Sequence, residues 1–243
     1  MELQNIFDAW AHSVPKDYSE KQWLLSKWEL FEGIPWPEEK RNLMVNLIVN
    51  RLDLKKGDSL IDLGCGGGWL TAQLLKFLDK VYAIDFSIEM LKHSQGTLKK
   101  ETLLCGEIGR APIKGNSFRK ILCYYVFINL KEDDYVERSI LEIYRILQEG
   151  GIALIGQLPQ AGCNRQYDQA KKNYIEFYRK KLKLGRDNSD LHIPPLKLFD
   201  RGKLSEFLKQ KGIAYEFQPA FNPFYYEGQS PTINWRFDLI IKK

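Results

Sequence analysis

Four glycines within five positions interrupt what begins as an ordinary buried strand in LIDLGCGGGWLT, Leu60 to Thr71. Glycine loses the most backbone entropy on ordering and packs no side chain, so a strand interior disfavours it. Placing Gly64, Gly66, Gly67 and Gly68 together therefore implies a turn in which the backbone is approached too closely for a Cβ. The apolar run before them reads as a strand and WLTAQLLKF after them as a helix, so the glycines join the two.

The rest of the chain repeats that rhythm. Strands are expected at residues 59–63, 80–84, 102–106, 119–125 and 152–156, with helices at 69–77, 87–93 and 132–147 between them. In the last of these helices Val136, Ile140, Ile143 and Leu147 share one face, and Gly150-Gly151 reads as its cap. Upstream, Pro37 followed by Glu38 and Glu39 opens a helix with an apolar stripe of Leu43, Met44, Leu47, Ile48 and Leu52, ended by Lys55, Lys56 and Gly57. Downstream, a helix at 204–211 precedes strands at 213–217 and 235–241. Strands alternating with helices imply a parallel sheet covered on both faces.

Two stretches stand outside this pattern. Residues 1–36 hold four of the six tryptophans (Trp10, Trp23, Trp28 and Trp36) with Leu24, Trp28 and Phe31 at helical spacing, which predicts an aromatic helical lid. The main domain then runs over 37–243, with an insertion at about 160–199. A helix at 173–184 in the insertion is basic, with seven Lys or Arg between Lys171 and Arg186, but Asp187 and Asp190 follow at once. A solvated helix face accounts for such a run, and nucleic acid is an unlikely partner at a net charge of +5. The apolar content of 44% suits a globular chain, and no apolar run approaches the roughly 20 residues that a membrane span needs. The opening MELQNIFDAW lacks a basic stretch before an apolar one, and the four cysteines are widely spaced without a CxxC or Cys/His cluster. A reducing, cytoplasmic setting with no metal site is the expectation.

In a doubly wound sheet, ligands bind beyond the carboxyl ends of the strands. The glycine turn lies there, and its N–H groups are expected to face the ligand. A dinucleotide fingerprint begun at Gly64 would need glycine where Trp69 stands; begun at Gly66, where Thr71 stands. The phosphate loop GxxxxGK[ST] is missing too. Instead, acids occupy three successive strand ends: Asp62, Asp85 in VYAIDFSIEML, and Glu107 in LLCGEIGRAPIKGNSF. Such a set suits a cationic ligand without phosphates and repels a pyrophosphate. S-adenosylmethionine, with its sulfonium, amino group and ribose diol, is such a ligand.

These residues resemble the class I SAM-dependent methyltransferase family from about Leu60 to Gly156. LIDLGCGGG looks like its first motif, AIDFSIEML like its second-strand acid and following helix, and GEIGRAPIKGNSF and YRILQEGGIALI like stretches of its small-molecule branch, which includes ubiquinone and menaquinone C-methyltransferases. The resemblance implies an α/β, doubly wound, Rossmann-like sheet of seven strands, mostly parallel with the last strand antiparallel. It implies that Gly64, Cys65 and Gly66 touch the methionine part of S-adenosyl-L-methionine, that Asp62 organises its amino group, and that Asp85 holds the ribose diol. Phe86 and Met90 would pack the adenine, Glu107 would receive its N6 with Ile108 nearby, and Tyr124 would border the methyl group. Departures are Glu107 for the commoner Asp, Glu149 for a proline, Ile128-Asn129 where many relatives have His-His, and Arg119-Lys120 at a strand start expected to be solvated.

The function implied is methyl transfer to a small-molecule acceptor, apolar or aromatic in keeping with the aromatic N-terminal segment. Alternatives are RNA methylation through residues 171–186 and a SAM-binding regulator that transfers nothing. If the acceptor must lose a proton, the candidate bases are Tyr18, Tyr124, Tyr125 and His192. Asp85, at a strand end facing a cleft, is expected to contribute little to packing.

Overall fold

The computed structural model describes residues 30–31, 34–35, 38–95, 98–99, 102–182, 197–226 and 228–243. Tyr18, His192 and nearly all of the expected lid lie outside them. Within 1–36 the described residues form a small antiparallel ribbon, Leu30–Phe31 with Ile34–Pro35.

The main sheet has strands β1 (Leu60–Leu63), β2 (Val81–Asp85), β3 (Leu103–Cys105), β4 (Phe118–Tyr124), β5 (Leu147–Pro159), β6 (Ala214–Phe221) and β7 (Thr232–Lys242). Their order is 3-2-1-4-5-7-6. The first five run parallel, and β7 is antiparallel to both β5 and β6. The chain reverses its winding between β1 and β4, the switch point at which such sheets take ligands. The helices are α1 (Glu38–Arg51), α2 (Trp69–Leu74), α3 (Ile88–Ser94), α4 (Asp133–Ile146), α5 (Asn164–Leu182) and α6 (Arg201–Gln210).

Two apolar layers sandwich the sheet. On one face Ile61, Ile121 and Leu239 meet Val136, Ile140 and Ile143 of α4 and Leu204, Phe207 and Leu208 of α6. On the other Leu60, Leu122 and Ile240 meet Met44, Val45 and Ile48 of α1 and Trp69, Leu70 and Leu74 of α2. The buried stripe of α1 differs from the sequence reading: Lys40 and Val45 are buried, whereas Leu43 and Leu47 are only partly covered. Lys40 is accommodated inside by donating its Nζ to the Pro223 carbonyl, and burial lowers its pKa to about 6. Lys120, expected at a solvated strand start, is also buried, and its Nζ donates to Leu52 O at 2.5 Å.

The largest departure concerns Gly150-Gly151. Helix α4 stops at Ile146, and β5 starts at Leu147 and runs through both glycines, so they do not cap the helix. Leu147 pairs with Phe118 but Ile152 pairs with Lys120, so β5 bulges outward between them. A Cβ at Gly151 would stand 2.7 Å from Gln148 O and 2.9 Å from Arg119 O, which explains the glycine.

The expected insertion leaves and rejoins the sheet at one point: Gln160 bridges Phe199, whose N–H donates to Pro159 O at 2.8 Å. Helix α5 starts at Asn164, nine residues before the expected 173, and packs on Ile34–Pro35 and β7.

Candidate active site

The glycine turn follows β1. Gly64, Gly66 and Gly68 all adopt left-handed conformations, with φ of 79°, 54° and 79°. The atoms that exclude a Cβ belong to the protein itself: Val126 at 2.4 Å from Gly64, Leu98 and Ser94 within 3 Å of Gly68, and Met90 at 3.2 Å from Gly66. The turn's donors are used internally as well. Gly64 and Cys65 N–H both donate to Ile84 O at 2.7 and 3.0 Å, Gly68 N–H donates to Cys65 O, and Gly66 N–H donates to Asp85 Oδ2 at 2.8 Å. The expectation that these N–H groups face a ligand is corrected here. With four of its N–H groups committed, the turn is poorly suited to cradle a phosphate, which accords with the missing dinucleotide and phosphate-loop motifs.

Asp85 fastens that turn to β2. Its Oδ2 accepts from Gly66 and its Oδ1 from Ser87 N–H at 2.9 Å, and the residue is buried. It therefore does more for the fold than a strand-end acid was expected to do. Ser87 in turn caps α3 by accepting from Met90 N–H, which fixes the buried Met90 beside the turn.

Asp62 lies on the neighbouring strand, buried, and accepts from Thr71 Oγ1 at 2.6 Å. Among the described residues it has no cationic partner. Burial pushes its pKa up from 3.8 to about 7, helped by the Asp85 charge and opposed by the Thr71 hydroxyl. The Cys65 thiol is held neutral, raised by burial and then by both carboxylates. Glu107 lies beyond β3, exposed, with Tyr135 Oη 3.5 Å from its Oε2; the adjacent Ile108 is buried and Phe86 is half-buried. The order 3-2-1 thus sets the acids on three adjacent strands, as their spacing suggested.

The other wall is built at the ends of β4, β5 and β7. Tyr124 lies flat over Gly156, where a Cβ would fall 2.0 Å from its ring. Its hydroxyl accepts from Gln157 Nε2 at 3.3 Å. Tyr125 follows with φ of 61°, a conformation that costs a non-glycine residue of order 1 kcal/mol or more. Burial pushes the Tyr124 phenol up to about 12 and raises that of Tyr125 further. Both are neutral hydroxyls near pH 7, suited to donate rather than to abstract a proton.

Gln157, Arg236, Arg51 and Asp238 escaped the sequence reading. A bulge between Ile155 and Leu158 turns Gln157 (φ 69°) into the wall, where its N–H donates to Asp238 Oδ1 at 2.8 Å and its Nε2 to Phe221 O at 2.8 Å. Asp238 also pairs with Arg51 from α1. Arg236 Nη1 reaches Gln157 Oε1 at 3.3 Å. A signal was present in WRFDLII, where two charges alternate with apolar residues in a strand that must be covered on both faces.

Residues 61–155 match the family described as "Methyltransferase domain". Malonyl-[acyl-carrier protein] O-methyltransferase of Buchnera aphidicola subsp. Baizongia pistaciae is 23% identical over 134 residues, 54% of this chain and 53% of that one. Demethylmenaquinone methyltransferase of Corynebacterium urealyticum is 29% identical over 107 residues, 44% of each. The chain thus spans about half the length of these curated relatives. A SAM-dependent methyltransferase of Aquifex aeolicus shares the fold with a TM-score of 0.55 at 17% identity, over 93% of this chain and 98% of that one. Residues 61–155 are thus similar to a methyltransferase domain, and the fold is shared with SAM-dependent methyltransferases.

Proposed function

We propose that this protein, built on a SAM-dependent methyltransferase domain, transfers the methyl group of S-adenosylmethionine to a small apolar or aromatic acceptor. Asp62 carries the reading: a buried carboxyl paired only with a hydroxyl among the described residues gains from a cationic ligand. The cofactor's ammonium and sulfonium supply that charge, and a pyrophosphate would add to the repulsion.

In this reading Asp62 faces the amino group and Gly64, Cys65 and Gly66 line the methionine part through backbone atoms other than the committed N–H groups. Asp85 takes the ribose diol, so one side chain both braces the turn and recognises the ligand. Phe86, Met90 and Ile108 enclose the adenine, and Glu107 accepts from its exocyclic amine. When bound, the cofactor supplies an electrophilic methyl whose leaving group is a neutral thioether that needs no acid. The protein's share of the work is alignment and exclusion of water. Tyr124 and Tyr125 form the wall beside the methyl position, and as neutral hydroxyls they orient an acceptor.

The test is formation of S-adenosylhomocysteine, followed by mass spectrometry, over a panel of small aromatic and apolar acceptors. Acceptor-dependent turnover is expected. Tight cofactor binding with no turnover on any acceptor would favour a regulator, and turnover on RNA alone would favour the basic segment at 171–186.

A further inference from the structure

The two buried arginines at the β5–β7 end of the cleft share a single buried acid. Asp238, fully buried, belongs to Arg51. Arg236 is only 3% exposed, yet no carboxylate lies against it among the described residues. Its surroundings are aromatic: the guanidinium carbon stands 5.9 Å from the Tyr125 ring, 5.4 Å from Tyr167 and 5.6 Å from Trp235. Tyr167 also shares a hydrogen bond with it, and burial lowers its pKa. The bond to Gln157 is long at 3.3 Å, and Nε has no hydrogen-bond partner among the described residues. Rings stabilise a cation by about 0.5–2 kcal/mol each, so the three offset part of the several kcal/mol that desolvating an ion costs without supplying a counter-charge.

A purely structural role would be to staple α5 to the sheet. The rings already do that without the charge, since Tyr167 contacts Phe224 and Trp235 edge-on at 5.4 and 5.5 Å. The position of the charge is more informative. Gln157 links Arg236 to the Tyr124 hydroxyl, at the end of β4 where the methyl group is proposed to lie. The cation thus lies one side chain away from the Tyr124 hydroxyl, beside the proposed chemistry.

Resting on the methyl-transfer reading, we infer that Arg236 is the anchor for the acceptor and that the acceptor is an aromatic carboxylic acid. A planar guanidinium fork matches a carboxylate through two parallel hydrogen bonds. The walls of Tyr125, Tyr167 and Trp235 suit a ring rather than a polar chain. A single cation within aromatic walls also favours a planar monoanion over a phosphate, which takes more donors and more charge.

The experiment uses the full chain loaded with S-adenosylhomocysteine. Benzoate, phenylacetate and the matching amides, benzamide and phenylacetamide, are titrated in by ligand-observed NMR up to about 10 mM, a ceiling that covers the weak affinities of ligands this small. At least one acid should bind about tenfold more tightly than its amide. Arg236→Gln should abolish that preference, and Arg236→Lys, which keeps the charge but loses the fork, should retain only part of it. S-adenosylhomocysteine affinity should not change in either variant. Equal binding of acids and amides to the wild type overturns the inference without any variant, as does a preference that survives in Arg236→Gln. Failure of S-adenosylhomocysteine to bind the wild type would instead defeat the methyl-transfer reading, so the two failures are distinguishable.

Discussion

The two ends of the cleft carry opposite imbalances of charge. At β1 and β2, Asp62 is buried without a cation among the described residues. At β5 and β7, the Arg51 side chain is buried against Asp238, and Arg236 is buried with no carboxylate beside it among the described residues. Each end is solvated poorly and compensated incompletely, the condition under which a ligand of the complementary charge gains most. The ends differ in construction too. The acidic end is backbone-built, with Asp85 drawn into the turn's own hydrogen bonds. The basic end is side-chain-built, through Gln157 and a wall of rings. A fixed backbone cradle suits an invariant cofactor, whereas a side-chain wall can be altered to change the acceptor.

Breaking the acidic end at its brace should have the largest effect. Asp85→Ala removes the acceptor of two N–H groups, each bond to a charged partner being worth about 1.5–3 kcal/mol. We expect a stability loss of about 3 kcal/mol or more in denaturant titration, together with loss of cofactor binding. Asp85→Asn should be milder because one amide oxygen still accepts. Unchanged stability in Asp85→Ala would show that the turn does not depend on this brace.

The basic end should break at Gly156. A Cβ there would lie 2.0 Å from the Tyr124 ring, which must move and release Gln157. Gly156→Ala should cost about 1–3 kcal/mol as an overpacked site and reduce turnover more than cofactor affinity. An equal fall in both would place Tyr124 with the cofactor rather than the acceptor.

Asp62 sharpens the comparison through pH. The folded protein holds its proton up to about pH 7, and the unfolded chain releases it near 3.8. Between those values the folded state binds more protons, so this group makes the ligand-free protein less stable as pH rises through the window. Asp62→Asn should flatten that slope in thermal melts from pH 5 to 8. A slope identical to wild type would show that Asp62 ionises normally. The smallest expected effect lies outside both ends. Replacing Lys180 and Lys181 should leave RNA binding weak, and tight salt-sensitive binding lost in that variant would restore the RNA reading.

The acidic end was legible in the sequence and the basic end was not. Asp62, Asp85 and the glycine turn lie within 26 positions, and strand–helix periodicity carries each acid to a strand end. Arg236 and Asp238 meet Gln157 and Arg51 from about 80 and 190 positions away, by way of a bulge that no local pattern announces. Gly150-Gly151 misled for a related reason, since a helix cap and a strand bulge both require glycine and only the pairing partner distinguishes them. Lys120 read as a surface residue because its carbonyl partner, Leu52, is distant in sequence.

The central claim is that the acidic end is made for a cation without phosphates. Calorimetric titration of the wild type with S-adenosylmethionine and with NAD, at pH values from 6 to 8, tests it most directly. The account predicts that S-adenosylmethionine binds, that its affinity rises with pH as Asp62 gives up its proton, and that NAD produces no heat of binding. Binding of NAD, or S-adenosylmethionine affinity that falls as pH rises through 7, would contradict it.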